Sequence, residues 1–119
     1  MCAPARASLQ TGLYATCTTV HRNGFALPEG MRTLAHHFGA AGYDTGYIGK
    51  WHLGDPAREW VEARYRGGYD YWLGANLTEF VSEPYHTVLF DKDNRPVELP
   101  GYRVDATTDA AIRYIDAHQ

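Results

Sequence analysis

No basic cluster longer than two residues occurs in this 119-residue chain, and its formal net charge is −3. A protein that meets phosphate backbones needs a positive stripe, so a dedicated nucleic-acid partner is excluded. Long apolar runs are missing as well. None approaches the roughly 20 residues that a membrane-spanning helix requires, so no membrane partner is expected. The opening residues lack the basic-then-apolar stretch of a secretory leader, since Met1 leads straight into Cys2 and Pro4, and the compartment stays open. Cysteine is scarce: Cys2 and Cys17 are the only two, too few for a disulfide framework, and they read as free thiols. Repeats and low-complexity tracts are absent, which excludes solenoids and linkers. What remains is a hydrophobic fraction of 45% and a charged fraction of 21%, the balance of a folded domain. The length suits one modest hydrophobic core.

Local patterns point to an α/β protein. Pro4 sits where a first helical turn tolerates it and Gly12 where a helix stops, which predicts a short helix from Ala3 to Thr11 with Cys2 at its N-terminal edge. Leu13 to Gly30 carries Asn23-Gly24 and Pro28-Glu29-Gly30 and reads as loop. Thr33 can cap a second helix that ends at Gly42, with Leu34, His37, Phe38 and Ala41 spaced for one buried face. Tyr43 to Ile48 reads as a strand closed by Gly49. Arg66-Gly67-Gly68 breaks the chain before Tyr69, Tyr71 and Trp72, an aromatic group suited to core packing. Thr87 to Asp91 and Pro96 to Leu99, joined by Lys92-Asp93-Asn94, predict a hairpin. The turn is no EF-hand loop, because Pro96 stands where that loop needs glycine and Tyr102 where it needs glutamate. Asp105 to His118 reads as a last helix, with Ala111, Ile112 and Ile115 as its apolar side.

Two stretches carry chemistry. The first is Cys2-Ala3-Pro4-Ala5-Arg6 followed by Thr11-Gly12, which puts a thiol at a helix N-terminus and a guanidinium one turn later. The second runs from Gly42 to Gly54 and sets Lys50 and His52 just after a strand. In open α/β sheets ligands bind at that edge. A cation and a proton donor there can hold an anion and protonate a leaving group. The plainer alternative is a surface Lys50 and His52 with Trp51 tucked into the core.

Together the stretches resemble the two signatures of the type I sulfatases, in the same order and at a typical distance. Arg66-Gly67-Gly68-Tyr69-Asp70-Tyr71-Trp72 is similar to the segment that often follows in bacterial members. The resemblance implies an alkaline-phosphatase-like α/β sandwich, with a mostly parallel sheet flanked by helices. It also implies that a maturation enzyme converts Cys2 to formylglycine, whose hydrate attacks a sulfate ester. Arg6 would hold that diol, Lys50 would bind sulfate oxygens, and His52 would lie close to the diol or ester oxygen. The family's cofactor is a divalent metal, calcium or similar, which would touch the oxygen derived from Cys2. Its remaining ligands are expected outside residues 1–119.

The chain accordingly reads as an incomplete N-terminal catalytic domain, expected to hydrolyse no ester alone. Ala3 and Ala5 depart from the small hydroxyl residues common at these positions, while the Cys-x-Pro-x-Arg core is intact. Two alternatives stand beside the sulfatase reading. One is a phosphonate or phosphate monoester hydrolase, a group that often lacks the Gly49-Lys50-Trp51-His52 motif; the other is a non-catalytic orphan piece.

Overall fold

A computed structural model describes residues 1–118. Helix α1 (Cys2–Thr11) forms as its sequence requires, and Ala3 and Ala7, one turn apart, are buried. Their small side chains let the helix lie close to the core. Gly12 ends it with φ of 71°, a left-handed value that burdens any residue with a Cβ, and its N–H donates to the Ser8 carbonyl at 2.8 Å.

Helix α2 (Leu34–Ala40) starts at Thr33, whose backbone N–H donates to His36 Nδ1 at 3.1 Å. The expected apolar face does not bury. Leu34 and Phe38 are 39% and 52% exposed, His37 and Ala41 are exposed too, and only Ala35 is covered within the helix. The helix docks by its N-terminal end instead of broadside: Thr33 is fully buried and its hydroxyl donates to the Gly67 carbonyl.

Four strands follow in spatial order: β1 (Gly46–Lys50), β2 (Tyr71–Ala75), β3 (His86–Phe90) and β4 (Pro96–Pro100). β1 starts three residues later than the sequence pattern suggests and runs through Gly49 to Lys50. Gly49 keeps the ladder with φ of 111°, a conformation suited to glycine. β1 and β2 pair in parallel, from Gly46 opposite Tyr71 to Lys50 opposite Ala75. β2 meets β3, and β3 meets β4, antiparallel. The mostly parallel pairing expected thus holds for β1 and β2, and the sheet is mixed, because the hairpin fixes its two strands head to tail. Asp91 shapes the hairpin turn by accepting the N–H groups of Asp93 and Arg95 at 2.8 and 2.9 Å.

Between β2 and β3 lies a four-residue helix, α3 (Thr78–Val81). Asn76, the first residue of an Asn-Leu-Thr triplet, is buried just before it. Its amide accepts the Gly54 N–H and donates to the Asp55 and Arg58 carbonyls.

Helix α4 (Arg103–Ala117) packs over β1, β3 and β4 through Ala106 and Ala110. The expected apolar side is turned outward, with Ile112 and Ile115 50% and 58% exposed. At about 100° per residue, a helix that seats position 110 on the sheet carries position 112 to the far side.

The core has two parts. One gathers Ala3, Ala7, Leu27, Trp51, Leu53 and Trp72 beneath α1. The other gathers Leu73, Leu89, Leu99, Ala106 and Ala110 between the hairpin and α4. Tyr69 joins the first part as expected. Tyr71 lies instead against the ring of Tyr114, 4.7 Å between centroids.

Candidate active site

The C-terminal end of β1 and the N-terminal end of α1 meet. Alternation along the strand sends Trp51 inward, opposite Lys50, and the ring is fully buried. It stands edge-on to Tyr47 and Trp72, at 4.7 and 5.4 Å, and its indole N–H donates to the Tyr65 carbonyl at 2.8 Å. Its backbone N–H continues the ladder to Ala75, also at 2.8 Å. Of the plainer alternative, the core placement of Trp51 holds, whereas Lys50 and His52 are partly buried and line a cleft.

His52 follows with φ of 62°, a left-handed conformation uncommon outside glycine. Such backbone strain concentrates where a side chain must be aimed. The aim here is Cys2: His52 Nδ1 lies 3.0 Å from Cys2 Sγ. Burial, then the nearby Lys50 charge, hold the imidazole below its ordinary pKa, with Glu79 acting in the opposite sense and Arg6 adding to the depression.

Lys50 Nζ pairs with the Glu79 carboxylate, and this bond in turn holds Glu79 below the usual carboxylate range. Cys2, Lys50 and His52 line one cleft of about 500 Å³ together with Asn23, Pro56, Leu77, Glu79 and Phe80. Arg6 takes a different place. Its guanidinium donates to the Lys50 carbonyl and, at 3.2 Å, to the Tyr47 hydroxyl, which itself donates to the same carbonyl. It ties α1 to the end of β1 and reaches the cleft through its charge.

Three contributors are given no role by the sequence: Asn23 and Glu79 lie outside both motifs, and Tyr47 lies inside the second. Asn23 Oδ1 accepts the Ala3 N–H at 3.1 Å and lies 3.8 Å from Cys2 Sγ, so it satisfies a free donor at the helix start. In the sequence Asn23-Gly24 signals only a turn. Tyr47 reads as an ordinary strand aromatic. Glu79 stands 29 residues from Lys50, with no local pattern to link them.

A hard divalent cation takes six or more oxygen ligands. Among the described residues no three His, Cys, Asp or Glu side chains gather for one. The cleft's single carboxylate, Glu79, is engaged by Lys50, and the Asn23 oxygen by α1. These residues do not by themselves make a cation site.

A profile of the Sulfatase family matches residues 1–119. An ulvan-active sulfatase of Formosa agariphila is 35% identical over 119 aligned residues, covering 98% of this chain and 22% of that protein. The uncharacterized sulfatase YidJ of Escherichia coli is 34% identical over 90% of this chain and 22% of its own length. Among solved structures, yidJ from Bacteroides fragilis superposes with a TM-score of 0.85 at 23% identity, over 98% of this chain and 30% of that one. BT4656, solved with its substrate D-glucosamine-2-N,6-O-disulfate, gives 0.79 at 24% identity, over 100% of this chain and 22% of that one. The neighbours have the alkaline-phosphatase-like fold, and this chain spans about a fifth of the length of the two curated relatives. With a family match along its whole length, the chain belongs to the sulfatases of the alkaline-phosphatase-like superfamily, which are generally formylglycine- and metal-dependent.

Proposed function

We propose that this chain is the nucleophile-bearing part of a sulfuric ester hydrolase, with Cys2 as the precursor of formylglycine. The observation that carries the reading is the approach of Cys2 Sγ to His52 Nδ1, 3.0 Å, in a cleft that also holds Lys50. Sγ stands in for the oxygen that maturation would install. One hydroxyl of the hydrated aldehyde attacks sulfur and displaces the ester's alcohol, which leaves with a proton. Deprotonation of the second hydroxyl then expels sulfate and restores the aldehyde, which water rehydrates.

The chain's own groups then have distinct tasks. Lys50 binds sulfate oxygens as a point charge. His52, kept neutral by burial and by Lys50, has a free pair with which to take or hold a hydroxyl proton at residue 2. The N-terminus of α1 favours the anion there. Arg6 fixes the Lys50 carbonyl and adds positive charge behind the nucleophile. The proposed cofactor is a divalent metal, calcium by family habit. The oxygen on residue 2 would be this chain's donor to it, and carboxylates from outside residues 1–119 would complete the site.

The substrate class is a small-molecule or sugar sulfate ester, in line with the sugar disulfate bound by the BT4656 neighbour. A formylglycine-generating enzyme is the partner that matures Cys2. The relatives are sulfatases, so the phosphonate or phosphate alternative and the orphan piece are not favoured.

The test is to produce the full natural chain with a formylglycine-generating enzyme and to assay an aryl and a sugar sulfate. Peptide mass spectrometry should find residue 2 lighter by about 18 Da, the thiol-to-aldehyde difference. Cys2→Ala should lower sulfate release by at least roughly 1,000-fold, as loss of a nucleophile does. An unmodified thiol in active enzyme would sink the mechanism. Residues 1–119 expressed alone should release none.

A further inference from the structure

We propose that Phe80, held at the cleft by the neighbouring Glu79–Lys50 ion pair, is the platform on which the ester's leaving group rests, and that this group is a ring with an apolar face. The inference builds on the sulfatase reading and concerns the other end of the substrate.

The cleft is lined by residues of two unlike kinds. Cys2, Lys50 and His52 offer the charge and proton chemistry that a sulfate needs, while Pro56, Leu77 and Phe80 offer none. Its volume of about 500 Å³ is in the range of small-molecule sites and exceeds what a sulfate alone fills. Within residues 1–118 Phe80 is 76% exposed and its ring stacks on no other aromatic. A large ring lining a cleft beside a nucleophile presents a flat apolar face that a ligand's ring can cover.

The ring's position is fixed rather than left to a loop. α3 is a single turn and would not hold its place alone. At its start Glu79 reaches Lys50, the residue assigned to the sulfate. At its end the Ser82 hydroxyl exchanges two hydrogen bonds with the Val88 backbone, both 2.9 Å, and pins the helix to β3. The lysine assigned to the sulfate is therefore also the anchor of the turn that carries Phe80. An ester held with its sulfate at Lys50 and Cys2 leaves the apolar lining, Pro56, Leu77 and Phe80, for its leaving group. An aryl ring or the C–H face of a pyranose covers Phe80, and a short alkyl group does not.

The experiment measures binding and turnover separately on the full natural chain. Dissociation constants for phenyl sulfate, glucose 6-sulfate and methyl sulfate are obtained by calorimetry with unmatured protein, and kcat/KM with matured enzyme. Phe80→Ala should weaken at least one of the two ring esters by roughly tenfold, with methyl sulfate changed less than twofold. Phe80→Trp should restore ring binding, and Phe80→Leu, which keeps bulk without a flat face, should not. Which ring ester loses affinity identifies aryl or pyranose as the source. Equal losses for all three esters, no loss, or a lowered melting temperature with uniform loss overturns the platform and leaves the sulfatase reading intact. Ring-selective binding without turnover of any ester overturns hydrolysis and leaves the platform. Absence of binding by all three overturns both.

Discussion

The two halves of the core are built differently. Beneath α1, residues from distant parts of the chain interlock. Ala3, Leu27, Trp51 and Trp72 share one cluster, and Arg6, Tyr47 and the Lys50 carbonyl cross-link it by hydrogen bonds. Between the hairpin and α4 the packing is simpler, a strand pair covered by the small side chains of Ala106 and Ala110. The first arrangement constrains atoms in position; the second mainly removes apolar surface from water. A site that needs a 3.0 Å approach between residues 50 apart in sequence belongs in the first.

That contrast can be broken most directly by matched core truncations. Trp51→Ala should destabilise the protein by about 3–5 kcal/mol and Leu89→Ala by about 2–5 kcal/mol, read from denaturant midpoints. Only the Trp51 change should also lower specific activity of the folded fraction, because its ring fixes Lys50 and His52. Equal activity losses would erase the distinction. Next in size, Lys50→Ala and His52→Ala should each lower turnover by roughly 100-fold, the usual loss of one preorganised contact, with little change in melting temperature. If either variant unfolds the protein while its folded fraction keeps full activity, the residue is structural.

A smaller effect concerns protonation. His52 should titrate below the ordinary imidazole value of about 6.5 in an NMR titration. Burial is the first cause and Lys50 the second, so Lys50→Met should raise the midpoint and Glu79→Gln, which removes the opposing charge, should lower it further. The folded state resists the proton, so the stabilising contribution of neutral His52 is full above the unfolded value. It is lost as pH falls through that value towards the folded one. A midpoint at or above the ordinary value would contradict the environment described. Least of all, Ile112→Ser on the outer side of α4 should change stability by no more than about 0.5 kcal/mol. A loss of about 2 kcal/mol would mean that another segment covers that side.

Several elements are legible from sequence because their cause is local. Pro4 and Gly12 bracket α1, Lys92-Asp93-Asn94 mark the hairpin turn, and α4 follows from its helical spacing. β2 was hidden, since Tyr71 and Trp72 signal aromatic packing without marking a strand. The exposed sides of α2 and α4 show a different limit. Apolar spacing at Leu34 and Phe38, or Ile112 and Ile115, identifies a face without naming what it meets. In the site, the motifs lead to Cys2, Lys50 and His52, which the cleft unites, but they give no hint of Asn23 or Glu79.

By itself the sequence determined the family, the helix that opens with Cys2, and the strand end that carries Lys50 and His52. Those depend on residue identity and on intervals of a few residues, which backbone geometry turns into direction. Only the tertiary structure decided that Arg6 anchors the Lys50 carbonyl, that Glu79 engages Lys50, and which sides of α2 and α4 stay open. Such contacts join residues tens of positions apart, and they exist only once the whole sheet and both cores have been assembled.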